Sequence, residues 1–330
     1  MREPARHAPP ELTVGQLFAH KRETLQLDLL GGEAGLNRVV TVPEASSPGL
    51  VLAGFTERFL ENRLHVLGET EVEYLKSLGA DACRQAIGYV MRGKTPCVFV
   101  TKGQTVPAPV QALAQEQEIP LIRSQLKTSE FYRRLTPYLT EVFAPSTSVH
   151  GSLADVYGVG LLFVGRSGIG KSECVLDLVE RGHRLVADDT VQVSRRGADV
   201  LIGKADDMAY RYMEIRGAGL VDVSGLFGVR AVRRQKRIEV VVELTDWDST
   251  KPVERTGLDT HTVTILDVQV PLVTVPLNPG KNITVVSEVV ALSHLLRYTG
   301  VNPAREFNEK LIARMAKQRQ VREYLSEDYE

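Results

Sequence analysis

Apolar residues along this chain change their spacing from block to block, and the changes mark out elements. Residues up to about Leu12 are polar and proline-rich and are expected to fray. From Leu12 to Gly32, "LTVGQLFAHKRETLQLDLLGG" reads as a helix followed by a strand that stops at Gly31 and Gly32. Glu69 to Leu78, with Val72, Leu75 and Leu78 on one side, predicts a short helix. "PCVFVTKG", Pro96 to Gly103, reads as a buried strand closed by glycine. "PAPVQALAQEQEIPLIRS", Pro107 to Ser124, reads as a helix and then a strand. Such alternation predicts an α/β first domain.

"VFAPSTSVHGS", Val142 to Ser152, is rich in Pro, Ser and Thr and divides two patterned halves, giving domains over 1–145 and 146–330. Strand-like runs follow: "GVGLLFVG", "HRLVADDTVQV", "RIEVVVEL" and "HTVTILDVQVPLVTVPL". Pro303 to Glu323 reads as a helix with Phe307, Leu311 and Met315 recurring every four residues. That face either packs on its own domain or meets a partner subunit. No internal repeat is visible.

Composition narrows the classes. The 330 residues are 43% hydrophobic and 25% charged, ordinary for a globular protein with a sizeable core. A net charge of −1 and a pI near 6.7 offer no global field for nucleic acid or an anionic membrane, so neither partner is expected. One local exception is "RAVRRQKR", Arg230 to Arg237, with five basic residues in eight. It is either a docking patch for an acidic or phosphorylated partner or a solvated strand end. Cys83, Cys97 and Cys174 are odd in number and lack metal-ligand spacing. With no apolar leader and no run near the ~20 residues of a membrane span, a cytoplasmic location is expected.

"GRSGIGKS", Gly165 to Ser172, fits G-x-x-x-x-G-K-[ST] at every fixed position. An apolar strand precedes it and "SECVLDLVERG" follows as a helix. The chemistry needs that order. Gly165, Arg166, Ser167, Gly168, Ile169 and Gly170 bring backbone N–H groups around phosphate oxygens at a helix N-terminus. Lys171 reaches the β/γ-phosphates and the Ser172 hydroxyl meets Mg²⁺. A nucleotide triphosphate with magnesium is therefore expected. Neither a guanine-specificity motif nor the protein-kinase motif set is present.

"LVADD" ends a strand with Asp188 and Asp189. Strand neighbours face opposite ways, so one carboxylate would face the γ-phosphate and the other a metal-bound water or a structural partner; otherwise the pair simply forms a turn at the strand end. "MEIRGAGLVDV", Met213 to Val223, sets Glu214 and Arg216 before a glycine-rich turn able to approach phosphate closely.

With these residues in view, the chain resembles the HPr kinase/phosphorylase family, bacterial enzymes that phosphorylate a serine of the phosphocarrier protein HPr. The resemblance rests on "VHGSLADVYGVGLLFVGRSGIGKSE", "GHRLVADD", "MEIRGAGLVDV", "ERTGLD" and "PLNPGKN", in family order. It extends into the first half at "GLNRVVTVPEASSPGLVLAGF" and "VTKGQTVP". It implies an α/β protein of two domains. The second is a P-loop domain resembling the nucleotide-binding part of phosphoenolpyruvate carboxykinases; the first is a separate α/β unit of unclear role. It implies His150, Lys171, Asp189 and Arg255 as active-site residues, Asp189 taking the serine proton and returning one in reverse. It further implies Ser172 and Glu214 as magnesium ligands and Met213, Glu214, Ile215, Arg216, Gly217 and Gly219 as a signature loop. Pro276, Leu277, Asn278, Pro279, Gly280 and Lys281 match a loop tied to dephosphorylation. ATP with Mg²⁺ serves the forward reaction; inorganic phosphate, giving pyrophosphate, serves the reverse. Family members look like homo-oligomers, hexamers built on the second domain.

Two departures matter. The loop is usually "PVRPGRN"; here Asn278 lacks a charge, and Lys281 lacks the planar fork that grips an oxyanion bidentately. Ala218 stands where Leu is usual, a mild change. The alternatives are a P-loop small-molecule kinase or carboxykinase-like enzyme and a non-catalytic nucleotide sensor. Retention of Asp189, Glu214 and Arg255 speaks against a sensor, which needs a cradle but no base.

Overall fold

The computed structural model describes residues 11–247, 261–278, 282–301 and 303–327. Contacts divide the chain into two units, Ala8–Ala144 and a second running from Pro145 to the C-terminus.

The first unit runs β1 (Leu12–Thr13), α1 (Val14–Lys21), β2 (Leu27–Gly31), β3 (Val39–Val40), β4 (Ala45–Ser46), α2 (Gly49–Leu52), β5 (Leu64–Leu67), α3 (Glu69–Ser77), α4 (Ala80–Gly88), β6 (Val98–Val100), α5 (Ala108–Glu116), β7 (Leu121–Ser124) and α6 (Thr128–Val142). Its sheet has the order β2-β7-β6-β5-β4, parallel from β4 to β7 with β2 antiparallel at the edge. Leu75 of α3, Ile87 of α4 and Leu113 of α5 share one core. Leu17 of α1 and Phe131, Leu135 and Leu139 of α6 share the other. Helices on both faces leave β5 and β6 wholly buried, which is why they read as short apolar runs without alternation.

The second unit runs β8 (Ser146–His150), β9 (Ser152–Val156), β10 (Val159–Val164), α7 (Lys171–Glu180), β11 (Arg184–Ala187), β12 (Thr190–Arg196), β13 (Val200–Lys204), β14 (Tyr212–Ile215), β15 (Gly219–Asp222), α8 (Val223–Phe227), β16 (Gln235–Arg237), β17 (Val240–Asp246), β18 (His261–Ile265), β19 (Val268–Leu277), α9 (Ile283–Tyr298) and α10 (Pro303–Glu327). A six-stranded sheet, β11-β9-β10-β17-β19-β18, stands beside a four-stranded one, β16-β13-β12-β8. Phe163 of β10 packs with Val175 and Leu178 of α7 and Ala291 of α9. Leu162 and Val241 face the other way, into a core with Val191 and Val193 of β12 and Leu201 of β13.

The units divide between Ala144 and Pro145, inside the Pro/Ser/Thr-rich stretch at 142–152, whose Ser146–His150 forms β8 and pairs antiparallel with β12. One expectation needs correction. "HRLVADDTVQV" is not one strand. β11 belongs to the six-stranded sheet and β12 to the four-stranded one. Asp188 and Asp189 are the bend between the sheets, so strand alternation does not set their directions. The chain makes the same passage at Gly151, between β8 and β9. A Cβ there would meet the Phe163 carbonyl oxygen at 2.4 Å, so only glycine fits this corner.

The amphipathic tail is exposed. Phe307, Leu311 and Met315 on α10 lie open, as do Val285, Val289 and Leu292 on α9. Among the described residues no helix is long and apolar enough to cross a membrane.

Candidate active site

Two corners and one loop make the site. Gly151 N–H donates to the Asp189 carbonyl at 2.9 Å, tying the two inter-sheet passages together. His150, last in β8, is the register partner of Thr190, first in β12. This brings His150 and Asp189 face to face: His150 Nδ1 lies 3.3 Å from Asp189 Oδ1. Asp189 adopts φ +63°, the left-handed region that Asp tolerates better than most residues. The turn throws its side chain outward, 73% exposed, at the mouth of the cleft.

Between them β10 runs into the P-loop. Its six residues are buried, and α7 starts at Lys171 with Gly170 at its N-cap and no capping side chain, leaving the helix N-terminus free for an anion. Lys171 is buried. Its ammonium donates to the carbonyls of Gly165 and Arg166, both at 3.1 Å, and lies 3.3 Å from His150 Nε2. Burial draws its pKa down, while Asp188, Asp189 and Glu173 pull the other way. One neutral histidine tautomer satisfies both neighbours, accepting from Lys171 at Nε2 and donating from Nδ1 to Asp189. Lysine, histidine and aspartate thus form one line from the phosphate cradle to solvent.

Asp188 points the other way. It is buried, and its Oδ1 accepts from Ser152 Oγ at 2.6 Å and from Ser172 Oγ at 2.9 Å. Among the described residues its Oδ2 is buried with no hydrogen-bond partner. A bare carboxylate oxygen beside the P-loop serine suits a hard divalent cation. No cluster of three His, Cys, Asp or Glu fit to hold a metal exists among the described residues.

The opposite wall is the β14–β15 hairpin. Met213 is anchored in the core at 1% exposure, which holds Glu214 and Arg216 over the cleft. Ile215 packs on the same core, and Gly217 and Gly219 make the turn. Gly168 of the P-loop has φ +75°, and a Cβ there would lie 2.3 Å from the Arg216 guanidinium; the arginine rests directly on the loop. His150, Ser167, Gly168, Gly170, Lys171, Ser172, Glu173, Asp188, Asp189, Glu214 and Arg216 line one cleft.

The cleft brings together His150, Lys171, Ser172, Asp189, Glu214 and Arg216. Ser152 and Glu173 were not foreseen; no local signal marks Ser152, whose contact spans 36 positions. Gly165, Arg166, Ile169, Pro276, Leu277 and Asn278 are not among the described residues lining the cleft. Pro276 and Leu277 instead close β19, in register with Thr245 and Asp246. Arg255, Pro279, Gly280 and Lys281 lie outside the described residues. The basic stretch 230–237 is partly committed internally. Arg233 Nη1 donates to the buried Asp155 at 2.7 Å, Lys236 Nζ donates to the Gly158 carbonyl at 2.6 Å, and Arg234 lies 4.8 Å over the Tyr210 ring.

Two family models match the chain. The HPr Serine kinase N terminus model covers residues 12–139 and the HPr Serine kinase C-terminal domain model covers 141–311. An HPr kinase/phosphorylase of Chloroherpeton thalassium is 42% identical over 328 residues, 97% of this chain and 96% of its relative. One from an Exiguobacterium species is 43% identical over 289 residues, 88% of this chain and 93% of its relative. A solved HPr(Ser) kinase/phosphatase from Coxiella burnetii is 32% identical, covering 49% of this chain and 99% of that one, with a TM-score of 0.44.

Proposed function

This chain belongs to the HPr serine kinase family, and from that membership we propose that it transfers the γ-phosphoryl group of ATP to a serine of the phosphocarrier protein HPr. In reverse it uses inorganic phosphate to split phosphoserine. The observation that carries this reading is the line Lys171–His150–Asp189, which joins a triphosphate cradle to an exposed carboxylate able to meet a protein side chain.

The P-loop N–H groups and the free N-terminus of α7 hold the β- and γ-phosphates. Lys171 leaves the two loop carbonyls for the phosphate oxygens, a better match for an ammonium than neutral acceptors. Ser172 Oγ and the free Asp188 oxygen, with Glu214 on the facing wall, would hold magnesium, which would supply neutralisation of the phosphate charge. Arg216, resting on Gly168, stabilises the charge that gathers on the transferring group. Asp189 orients the serine hydroxyl and accepts its proton as the bond to phosphorus forms; His150 holds that carboxylate in place. In reverse an oxygen of inorganic phosphate attacks the phosphorus of phosphoserine, the bond from phosphorus to the serine oxygen breaks to give pyrophosphate, and protonated Asp189 returns its proton to the departing serine oxygen.

Arg255 is assigned to the same centre. The segment Pro276–Lys281 is assigned to inorganic phosphate, with a weaker grip because Asn278 is uncharged. The second unit is read as carboxykinase-like, and the open apolar faces of α9 and α10 as surfaces for other copies in a homo-hexamer. Three buried free cysteines suit a reducing cytoplasm. Membership of the family favours a protein kinase over a small-molecule kinase.

The reading is tested by incubating the full chain with [γ-³²P]ATP, Mg²⁺ and HPr and mapping the labelled site, then adding unlabelled phosphate and assaying pyrophosphate. Label on one HPr serine, released as pyrophosphate, is expected. ATP hydrolysis without label in HPr contradicts it.

A further inference from the structure

Ser152 opens β9, is fully buried and is not among the residues lining the cleft. A buried hydroxyl costs free energy unless it is hydrogen-bonded. Its Oγ donates to Asp188 Oδ1 at 2.6 Å, so its partner is a carboxylate of the cleft. Strand register brings the two together. β9 and β11 are antiparallel with Leu153 opposite Ala187, and one residue further the same register sets Ser152 opposite Asp188. The chain passes between the sheets here on both sides: β8 precedes Ser152 across Gly151, and β12 follows Asp188 across Asp189. The bond from Gly151 N–H to the Asp189 carbonyl, 2.9 Å, closes the corner one residue on. Paired backbone therefore fixes where the Ser152 hydroxyl stands.

Asp188 Oδ1 accepts a second bond, from Ser172 Oγ at 2.9 Å. Two hydroxyls thus converge on one oxygen, while Oδ2 has no hydrogen-bond partner among the described residues. Left to itself, an aspartate carboxylate turns over a broad, two-fold range about its last side-chain bond, so either oxygen can face the cleft. Two donors on Oδ1 remove that choice. They are not equivalent. Ser172 belongs to the P-loop and its oxygen is itself a candidate ligand, so its hold on Asp188 has to adjust when a cation arrives. Ser152 stands outside the cleft lining, and its bond to Oδ1 can persist with the site empty or filled.

We propose that Ser152 is a positioning residue for the divalent cation: its hydroxyl locks the Asp188 carboxylate so that Oδ2 is the oxygen presented to the ion. The inference rests on the assignment of Ser172 and Asp188 to magnesium made above. Ser152 touches neither nucleotide nor metal, and its proton stays on Oγ throughout. Removing a group that orients a metal ligand typically costs about 10- to 100-fold in metal affinity. Ser152 therefore sets how much magnesium the enzyme needs, and acts on transfer in either direction only through that requirement.

Ser152→Thr and Ser152→Val test this as a pair, because the two side chains share a shape and differ by a hydroxyl against a methyl group. The probe is Mn²⁺, which takes the same oxygen ligands as Mg²⁺. It is titrated into the full-length chain carrying a β,γ-imido analogue of ATP, with protein in excess, and free Mn²⁺ is read by electron paramagnetic resonance. Ser152→Val is expected to raise the apparent Kd for Mn²⁺ about tenfold, and Ser152→Thr to stay within about twofold of the unsubstituted chain. In an Asp188→Asn background Ser152→Val is expected to add nothing, as a double-mutant cycle requires. Equal Mn²⁺ affinities for the Thr and Val variants overturn the proposal. So does a loss of stability in urea with Mn²⁺ affinity unchanged, which makes Ser152 a packing hydroxyl. So does an effect that survives in Asp188→Asn. If the added bulk keeps both variants from folding, Ser152→Ala is compared with the unsubstituted chain: a tenfold weaker Kd upholds the proposal and an unchanged one overturns it. If Asp188→Asn alone leaves Mn²⁺ binding unchanged, the magnesium assignment itself has failed and the proposal falls with it.

Discussion

The two units bury polar groups to different ends. In the first, buried hydroxyls close backbone groups: Thr95 Oγ1 donates to the Val90 carbonyl at 2.8 Å and Ser124 Oγ donates to that of Leu25 at 2.5 Å. Its buried histidine is His65, packed on the Phe59 ring with centroids 4.7 Å apart. In the second, Asp155, Lys171, His183, Asp188 and Glu288 are buried as ionisable groups, each set against named partners. Interiors take in charge only when it is paired. The second unit accepts that cost in three places: at the cradle; at Asp155 of β9, which accepts from Arg233 Nη1 at 2.7 Å; and at Glu288 of α9, which accepts from Arg181 Nε and Nη2 at 2.9 and 2.7 Å and lies 3.1 Å from His183 Nε2. Among the described residues the first unit buries no ion pair, and its residues accordingly say much about packing and little about chemistry.

The sharpest way to break this contrast is Glu288→Ala. It strands His183 and frees Arg181 behind α7. Breaking a buried pair costs about 3–5 kcal/mol, and the half-exposed Arg181 regains water, so a loss of about 3 kcal/mol is expected. Urea unfolding followed by the fluorescence of Trp247, the sole tryptophan, reads it in the second unit. Hydrogen exchange in peptides of Ala8–Ala144 is expected to be unchanged; equal loosening of both units would erase the distinction.

A smaller effect is expected at His65. Burial, helped by Arg63, lowers its pKa from 6.5 to about 4. The unfolded chain then takes up the proton first, so this contribution to stability is full above about pH 6.5 and is lost as pH falls toward 4. At pH 5 the loss is about 2 kcal/mol. Hydrogen exchange in β5 peptides at pH 7 and pH 5 measures it, and His65→Phe is expected to flatten the difference. A slope that survives the substitution assigns the acid sensitivity elsewhere.

The P-loop was legible because its chemistry is a backbone requirement. Glycine positions, one lysine and one serine must fall at fixed offsets between a strand and a helix, and all are local. The directions of Asp188 and Asp189 were not legible. Alternation along a strand assumes one sheet, and here the chain leaves one sheet for another between Ala187 and Thr190. β8 was hidden in a polar stretch because pairing with β12, not propensity, makes it a strand. α9 escaped notice because its exposed side is also apolar, which blurs helical contrast. The commitment of Arg233 to Asp155 spans 78 positions and has no local signature.

The central claim is that one exposed carboxylate, Asp189, serves transfer in both directions while its buried neighbour Asp188 holds the metal and the P-loop serine. Kinase and phosphorolysis rates of Asp189→Asn and Asp188→Asn, each read against Mg²⁺ concentration, test it most directly. Asp189→Asn is predicted to lower both directions about 10²-fold or more at all Mg²⁺ concentrations, the scale of general acid–base catalysis. Asp188→Asn is predicted to raise the Mg²⁺ requirement. Loss of one direction alone in Asp189→Asn, or a rate recovered there by added Mg²⁺, contradicts the account.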